Sequence, residues 1–330
     1  MKTIALFNNK GGVGKTSLAY HLGYMFSELG YRTVFADLDP QANLSSACMT
    51  EERFEAIWKL APRPTIYGAI ERLRRGVGDV DPLSPEAISG RILLVPGDLQ
   101  LSELEDDLSQ QWPKCLERDE RAFRVTTALH RVVASVGQRT GADVAVLDVG
   151  PNFGAINRAA LIAADYVIVP VAPDLFSMQG LENVGPRLAT WREQWNDRRA
   201  RAPRLDDFEL PRGDMKSLGY VVSRHSVLAG GAAKAFQRWI DRMPEVYRQS
   251  FGEPEAPSEL DVASDDFCLA QLKDYRSLMP MAQEAKKPMF LLRPGDGAIG
   301  GHQGAVRQAY GDFHQLAQRT LMRMGISKAN

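Results

Sequence analysis

The chain has 330 residues, and its 40 Lys/Arg against 41 Asp/Glu leave a net charge of −1 and a pI of about 6.5. Its 44% hydrophobic and 25% charged residues are those of an ordinary globular protein, with no 18-residue apolar window for a membrane span and no basic-then-apolar leader. The three cysteines, Cys48, Cys115 and Cys268, are scattered and odd in number, which argues against a disulfide framework and fits a reducing, cytoplasmic compartment.

Residues 3–7 form an apolar run that predicts a buried parallel strand. Lys10-Gly11-Gly12-Val13-Gly14-Lys15-Thr16-Ser17 follows it and opens a helix predicted over 17–29, with Leu18, Leu22, Met25, Phe26 and Leu29 at helical spacing and Gly30 as its stop. This is a phosphate-binding loop. Its glycines allow a tight turn that aims backbone N–H groups at an anion, and the helix dipole points the same way. Lys15 is placed to reach β- and γ-phosphates, and the Thr16 hydroxyl to ligate Mg²⁺. The ordinary pattern needs glycine at position 9, where Asn9 stands, and the chain has Lys10 in addition. A second loop cation is hard to explain inside one subunit and reasonable if it reaches the phosphates of a partner subunit.

A second strand, 33–36, leads into Asp37-Leu38-Asp39-Pro40-Gln41. Asp37 and Asp39, two apart, share a face on a strand. Beside a phosphate loop they read as a Mg²⁺-water ligand and a residue that positions attacking water. Residues 84–90 read as turn-rich and 102–139 as helical. A third strand, 144–147, ends in Asp148, the expected Walker B acid. Trp191 and Trp195 predict one helix face against the core, and His21 is read as packed or surface, not catalytic. Residues 196–216 show no apolar period and read as a surface loop; 253–257 is a second break. Val306, Tyr310, Phe313, Ala317, Leu321 and Met324 form a narrow stripe along a last helix.

Charge is unevenly spread. Residues 187–248 carry 13 basic and eight acidic side chains, whereas 249–272 carry six acids and no base. Arg198, Arg199, Arg201 and Arg204 cluster in the predicted loop, and Lys234, Arg238 and Arg242 repeat every four residues. Such a stripe suits phosphate contact without reading sequence, or simply a solvated helix face.

The strings KGGVGKTS, DLDPQANLSS and DVGPNFGAINRAAL together resemble the deviant-Walker ATPases of the ParA/MinD class, nearest its ParA side. The resemblance implies one α/β domain over 1–330, a doubly wound, mostly parallel sheet flanked by helices, with insertions at about 48–90, 196–216 and 249–272. Residues 65–70 look like the family's short helix after the first switch. The resemblance also gives Lys10 the role of crossing a dimer interface, makes Asp39 necessary for hydrolysis, and makes Asp148 a holder of the metal. Relatives often carry asparagine against the adenine where Ser223 stands here, and Asn152-Phe153 replace a commoner Ser-Leu.

Cofactor carriers of the class need bridging cysteines or a C-x-x-C pair, and the arsenite-pump ATPases need a second phosphate loop; neither is present. The last helix looks like the closing core helix of the ParA fold, not a membrane anchor. The first strand opens the chain, which predicts no operator-reading helix-turn-helix ahead of it. The implied activity is a slow Mg²⁺-dependent ATPase that forms an ATP homodimer, binds DNA non-specifically at the nucleoid, and is stimulated by a ParB-like or adaptor protein. A second reading keeps the switch but applies it to a protein machine. A third, less favoured, is a metabolic enzyme that activates a carboxylate with ATP.

Overall fold

In the computed structural model the described residues are 1–223, 231–255, 257, 260–275 and 277–327, with the side chains of 231–236 outside the description. The chain runs β1 (Lys2–Leu6), α1 (Lys15–Glu28), β2 (Thr33–Asp37), α2 (Asn43–Cys48), α3 (Glu51–Trp58), α4 (Ile66–Arg74), β3 (Glu86–Ser89) and β4 (Ile92–Val95). It continues through α5 (Leu104–Lys114), α6 (Glu120–Thr126), α7 (Ala128–Thr140), β5 (Val144–Asp148), α8 (Ala155–Ile162), β6 (Tyr166–Val171) and α9 (Leu175–Ala200). β7 (Lys216–Ser223), α10 (Gly231–Phe251), β8 (Cys268–Leu272), α11 (Leu278–Ala285) and α12 (Gly301–Arg323) complete it.

The strands form one sheet in the order β3-β4-β2-β5-β1-β6-β7-β8. Among the described residues only β3 runs antiparallel to its neighbour; every other pairing is parallel. Successive side chains on a strand point to opposite faces, so a strand covered on both sides is apolar at every position. Ala145 and Leu147 of β5 join the core beneath α5, α7, α8 and α9, whereas Val144 and Val146 join the core beneath α1, α11 and α12. Both faces are covered by helices, as the doubly wound expectation requires. The order reverses around β1, so the carboxyl ends of β1, β2, β5 and β6 open onto one crevice, the usual ligand position in such sheets.

Two local expectations change. Residues 86–89, inside the stretch read as turn-rich, form edge strand β3, because the chain hairpins onto β4 and Glu86 is held by Arg53 at 2.8–2.9 Å. The segment read as a surface loop from 196 begins as the last turn of α9 and then folds back over the core. Trp195 Nε1 donates to Pro211 O at 2.9 Å, and Pro211, Gly213 and Met215 are buried. Pro211, Gly213 and Met215 alternate with exposed Arg212 and Asp214, but a proline, a glycine and one methionine make no apolar run that an apolar period could report. Trp191 and Trp195 are buried as expected, and α12 buries Phe313, Ala317 and Leu321 while leaving Tyr310 exposed. No helix among the described residues is long and apolar enough to cross a membrane.

Candidate nucleotide site

The loop joining β1 to α1 gathers the predicted site. Gly12 (φ 76°) and Gly14 (φ 84°) are left-handed, which explains glycine at both, and Gly14 caps α1. No protein atom lies within 4 Å of where a Cβ would stand at Gly11, Gly12 or Gly14, so this stretch of backbone can be approached. Lys15 begins α1 and is buried, with its Nζ donating to Lys10 O at 3.2 Å. Burial pulls its pKa down, while Asp148 and Asp39 oppose that pull. Asn8 fixes the loop from below, donating to Pro170 O at 2.8 Å and accepting from Lys10 N at 3.0 Å.

Asp37 and Asp148 end the neighbouring strands β2 and β5 and face each other in register. Both are fully buried. Asp37 Oδ2 accepts from the backbone N and the hydroxyl of Ser45, each at 2.7 Å, while its Oδ1 has no partner. Neither oxygen of Asp148 meets a donor in hydrogen-bond geometry, although the Thr16 hydroxyl lies close enough to favour its charged form. Burial raises both pKa values; the Asp37 charge raises that of Asp148 further, while at Asp37 the Ser45 hydrogen bonds oppose the rise and the Asp39 charge adds to it. Asp39 lies beyond the end of β2, so the shared strand face does not apply. It still comes to the same place, near Lys15, with its Oδ1 accepting from Gln41 N at 3.0 Å.

Three unpartnered, fully buried carboxylate oxygens beside a threonine hydroxyl fit a hard divalent cation. Among the described residues no group of three His, Cys, Asp or Glu makes a complete metal cage. That suits Mg²⁺, which takes one or two carboxylates and leaves other positions to water and phosphate.

Lys10 also has a partner within its own subunit. Its Nζ lies 2.6 Å from both carboxylate oxygens of Asp174 and 3.2 Å from Ser177 Oγ. Asp174 also caps α9 through Ser177 N at 2.9 Å. Nothing in the local sequence around Asp174 signals this; it is 164 residues away and meets Lys10 because β6 lies beside β1. Ser45, also missed, joins Asp37 to Gly97 N at 2.8 Å. At the end of β7, Ser223 Oγ makes a long 3.5 Å contact with Val13 O.

The basic stripe is only partly available. Arg198 is 7% exposed, stacks on Trp112 at 4.0 Å and donates to Trp112 O and Gln194 O, each at 2.9 Å. Its assignment as a DNA contact is therefore withdrawn: it lies on the core side of α9, four residues after Gln194. Arg199 donates to Arg212 O, Arg201 pairs with Asp197, and Arg204 pairs with Asp206. Lys234 lies outside the described side chains. Arg238 and Arg242 are exposed, and both approach the Trp239 ring, at 5.4 and 5.5 Å.

Residues 1–199 match the family described as "AAA domain". The chain is 31% identical to Protein IncC of Escherichia coli over 194 residues, covering 59% of this chain and 47% of that protein. It is 29% identical to the chromosome partitioning protein ParA of Caulobacter vibrioides over 181 residues, covering 55% and 60%. The chain thus spans less than two thirds of the curated relatives it matches. The structure of a Cyanothece McdA variant in complex with ATP superposes over 100% of this chain and 98% of that one, at a TM-score of 0.63 and 18% identity, a likeness of fold. With the two-lysine phosphate loop, the paired strand-end aspartates and this match, the chain belongs to the ParA/Soj/IncC family of deviant-Walker P-loop ATPases.

Proposed function

We propose that the chain is an ATP-driven switch that dimerises around two nucleotides, hydrolyses them slowly, and holds DNA non-specifically while ATP is bound. The observation that carries this reading is the buried pair Asp37 and Asp148, with unpartnered oxygens beside Lys15 and Thr16. Thr16 and Asp148, with Asp39 directly or through water, are the residues that would hold Mg²⁺. Bound there, Mg²⁺ supplies neutralisation of the phosphate oxygens. Backbone N–H groups of residues 11–17 cradle the phosphates, and Lys15 leaves Lys10 O to meet them. Asp39 orients the attacking water. Lys10 exchanges Asp174 for the phosphates of the second subunit, and stabilisation of charge on the transferring group by two lysines requires no covalent step from the protein.

ATP as ligand is supported by the McdA complex, and a partition or positioning role by the ParA relative. On this reading the protein works in the cytoplasm on the nucleoid, with a ParB-like or adaptor protein as stimulator. The test is light scattering of Asp39→Ala with ATP and Mg²⁺, with and without random duplex DNA. A dimer that loads onto DNA is expected, and an absent dimer would overturn the reading.

A second output, regulation of a protein machine, gains from the basic stripe. Of its described members, Arg198 is buried, Arg199, Arg201 and Arg204 are engaged locally, and Arg238 and Arg242 are exposed beside Trp239. An ATP dimer indifferent to DNA would select that output.

A further inference from the structure

The segment after Asp148 runs through Gly150 to Gly154 and enters α8, and it is held by two side chains, Asn157 within the DVGPNFGAINRAAL string and Glu105 outside it. Asn157, on the first turn of α8 and buried, accepts from Gly150 N at 3.0 Å. Its amide nitrogen donates back to Gly150 O (3.1 Å), Asn152 O (2.8 Å) and Asn152 Oδ1 (2.9 Å). The loop therefore moves with the first turn of α8.

A helix start leaves its first N–H groups without intrahelical partners, and a local Ser, Thr, Asp or Asn normally takes one of them. Here the cap position is Gly154: Asn152 Oδ1 accepts its N–H at 2.8 Å, but no side chain next to it in sequence takes those of Ala155 or Ile156. Glu105, fifty residues earlier on the first turn of α5, does it instead: Oε1 accepts from Ala155 N at 2.5 Å and Oε2 from Ile156 N at 2.9 Å. The approach is close enough that a side chain at position 154 would push the carboxylate aside. A Cβ at Gly154 would stand 2.7 Å from Glu105 Oε1. At the other end of the loop, a Cβ at Gly150 would stand 3.5 Å from Asp39 Oδ1.

The geometry points to Glu105 as a positioning residue for the ATPase reaction: through the start of α8 and Asn157 it sets where Gly150 sits against Asp39. The inference rests on the proposed switch for its catalytic consequence, but not for its structural one. Glu105 touches no phosphate-loop residue, so its loss leaves nucleotide binding in place and loosens the hydrolytic half of the site. Displacements of about 1 Å in such a site lower turnover by ~100-fold at the extreme.

The experiment compares Glu105→Ala and Glu105→Gln with the wild type, well below their melting temperatures. Three readings are taken: kcat for ATP, Kd for ADP, and amide exchange at Gly150 and Gly154. Glu105→Ala is expected to lower kcat by about 10- to 100-fold, keep the ADP Kd within about twofold, and speed exchange at both glycines. Glu105→Gln keeps one acceptor oxygen and is expected to recover part of each loss. Unchanged exchange and kcat in Glu105→Ala would overturn the assignment. So would losses of kcat and ADP affinity that merely follow the unfolded fraction. If the wild type hydrolyses no ATP, the switch reading fails on its own, and the exchange at Gly150 and Gly154 still decides whether Glu105 sets the loop.

Discussion

One helix connects the two groups of cations that the sequence offers to phosphate. The first residues of α9 hold Lys10 through Asp174, and its last turn carries Arg198. At 1.5 Å per residue the two lie on the order of 35 Å apart. Lys10 and Asp174 form a half-exposed pair, with side chains 28% and 40% accessible, and such pairs contribute only about 0–1 kcal/mol. A phosphate can compete for that lysine. Arg198 instead lies under 10% exposed, flat on an indole and bonded to two carbonyls, and no phosphate can reach it without unpacking the helix end. A positive residue is available only as far as its neighbours leave it so, and sequence reports the charge without the neighbours.

The largest expected effect separates these regions most sharply. Lys15→Ala removes the buried ammonium facing Asp148 and Asp39, and should lower ATP affinity at least ~100-fold in calorimetric titration, since a desolvated charge–phosphate contact exceeds an ordinary hydrogen bond. Near-normal binding would place the phosphates elsewhere than this loop.

Next comes the anchoring of α1. His21 lies one turn beyond Ser17, with Nδ1 2.7 Å from Ser17 O, Nε2 accepting from Met289 N at 3.1 Å, and its ring 5.0 Å from that of Phe313. Burial lowers its pKa from 6.5 to about 4. The neutral ring is the folded form, so its contribution is complete above pH 6.5 and is lost as pH falls from there toward 4. That loss is on the order of 3 kcal/mol at most. His130, also lowered to about 4, adds a loss of the same sign. Stability of the wild type should therefore fall more steeply between pH 6.5 and 4 than that of His21→Gln. Parallel curves from chemical denaturation would remove His21 as a source of acid sensitivity.

What could be read early followed from local chemistry. The phosphate loop, the strand carrying Asp37, Asp148 and the helix beginning near Lys15 are fixed by glycine conformation, apolar runs and short-range spacing, and each stands where it was expected. Residues whose role comes from sheet order were not legible. Asp174 and Glu105 carry no motif and matter because β6 adjoins β1 and α5 begins beside α8, while Ser45 lies within DLDPQANLSS but gains its role only because α2 returns beneath β2. Of the clustered arginines, Arg198 failed in the opposite direction, while Arg199, Arg201 and Arg204 are exposed as expected. Clustering suggested a surface, but α9 extends through Ala200 and turns Arg198 inward.

Arg198→Ala should therefore be a stability variant. It strips two hydrogen bonds and the stacking on Trp112, costing about 2 kcal/mol in urea unfolding, with ATP hydrolysis per folded molecule unchanged. Arg198→Lys should recover little, because an ammonium offers neither the flat stacking surface nor the fork of donors.

The smallest effects decide which arginines meet DNA. Arg238 and Arg242 share an indole and are exposed, whereas Arg201 and Arg204 are each tied to a neighbouring aspartate. Neutralising two phosphate contacts should lower the slope of log affinity against log salt by about 2. Arg238→Ala with Arg242→Ala should show that change and roughly a tenfold loss in affinity at physiological salt, by anisotropy with random duplex and ATP. Arg201→Ala with Arg204→Ala should leave the slope within about half a unit, because each arginine already satisfies a local acid and gains little by trading it for a phosphate. All four positions are exposed, so neither pair should disturb the fold. Equal slopes from the two pairs would mean that the aspartates are displaced on contact. The contrast between held and available cations would then hold for Lys10 and Arg198 alone.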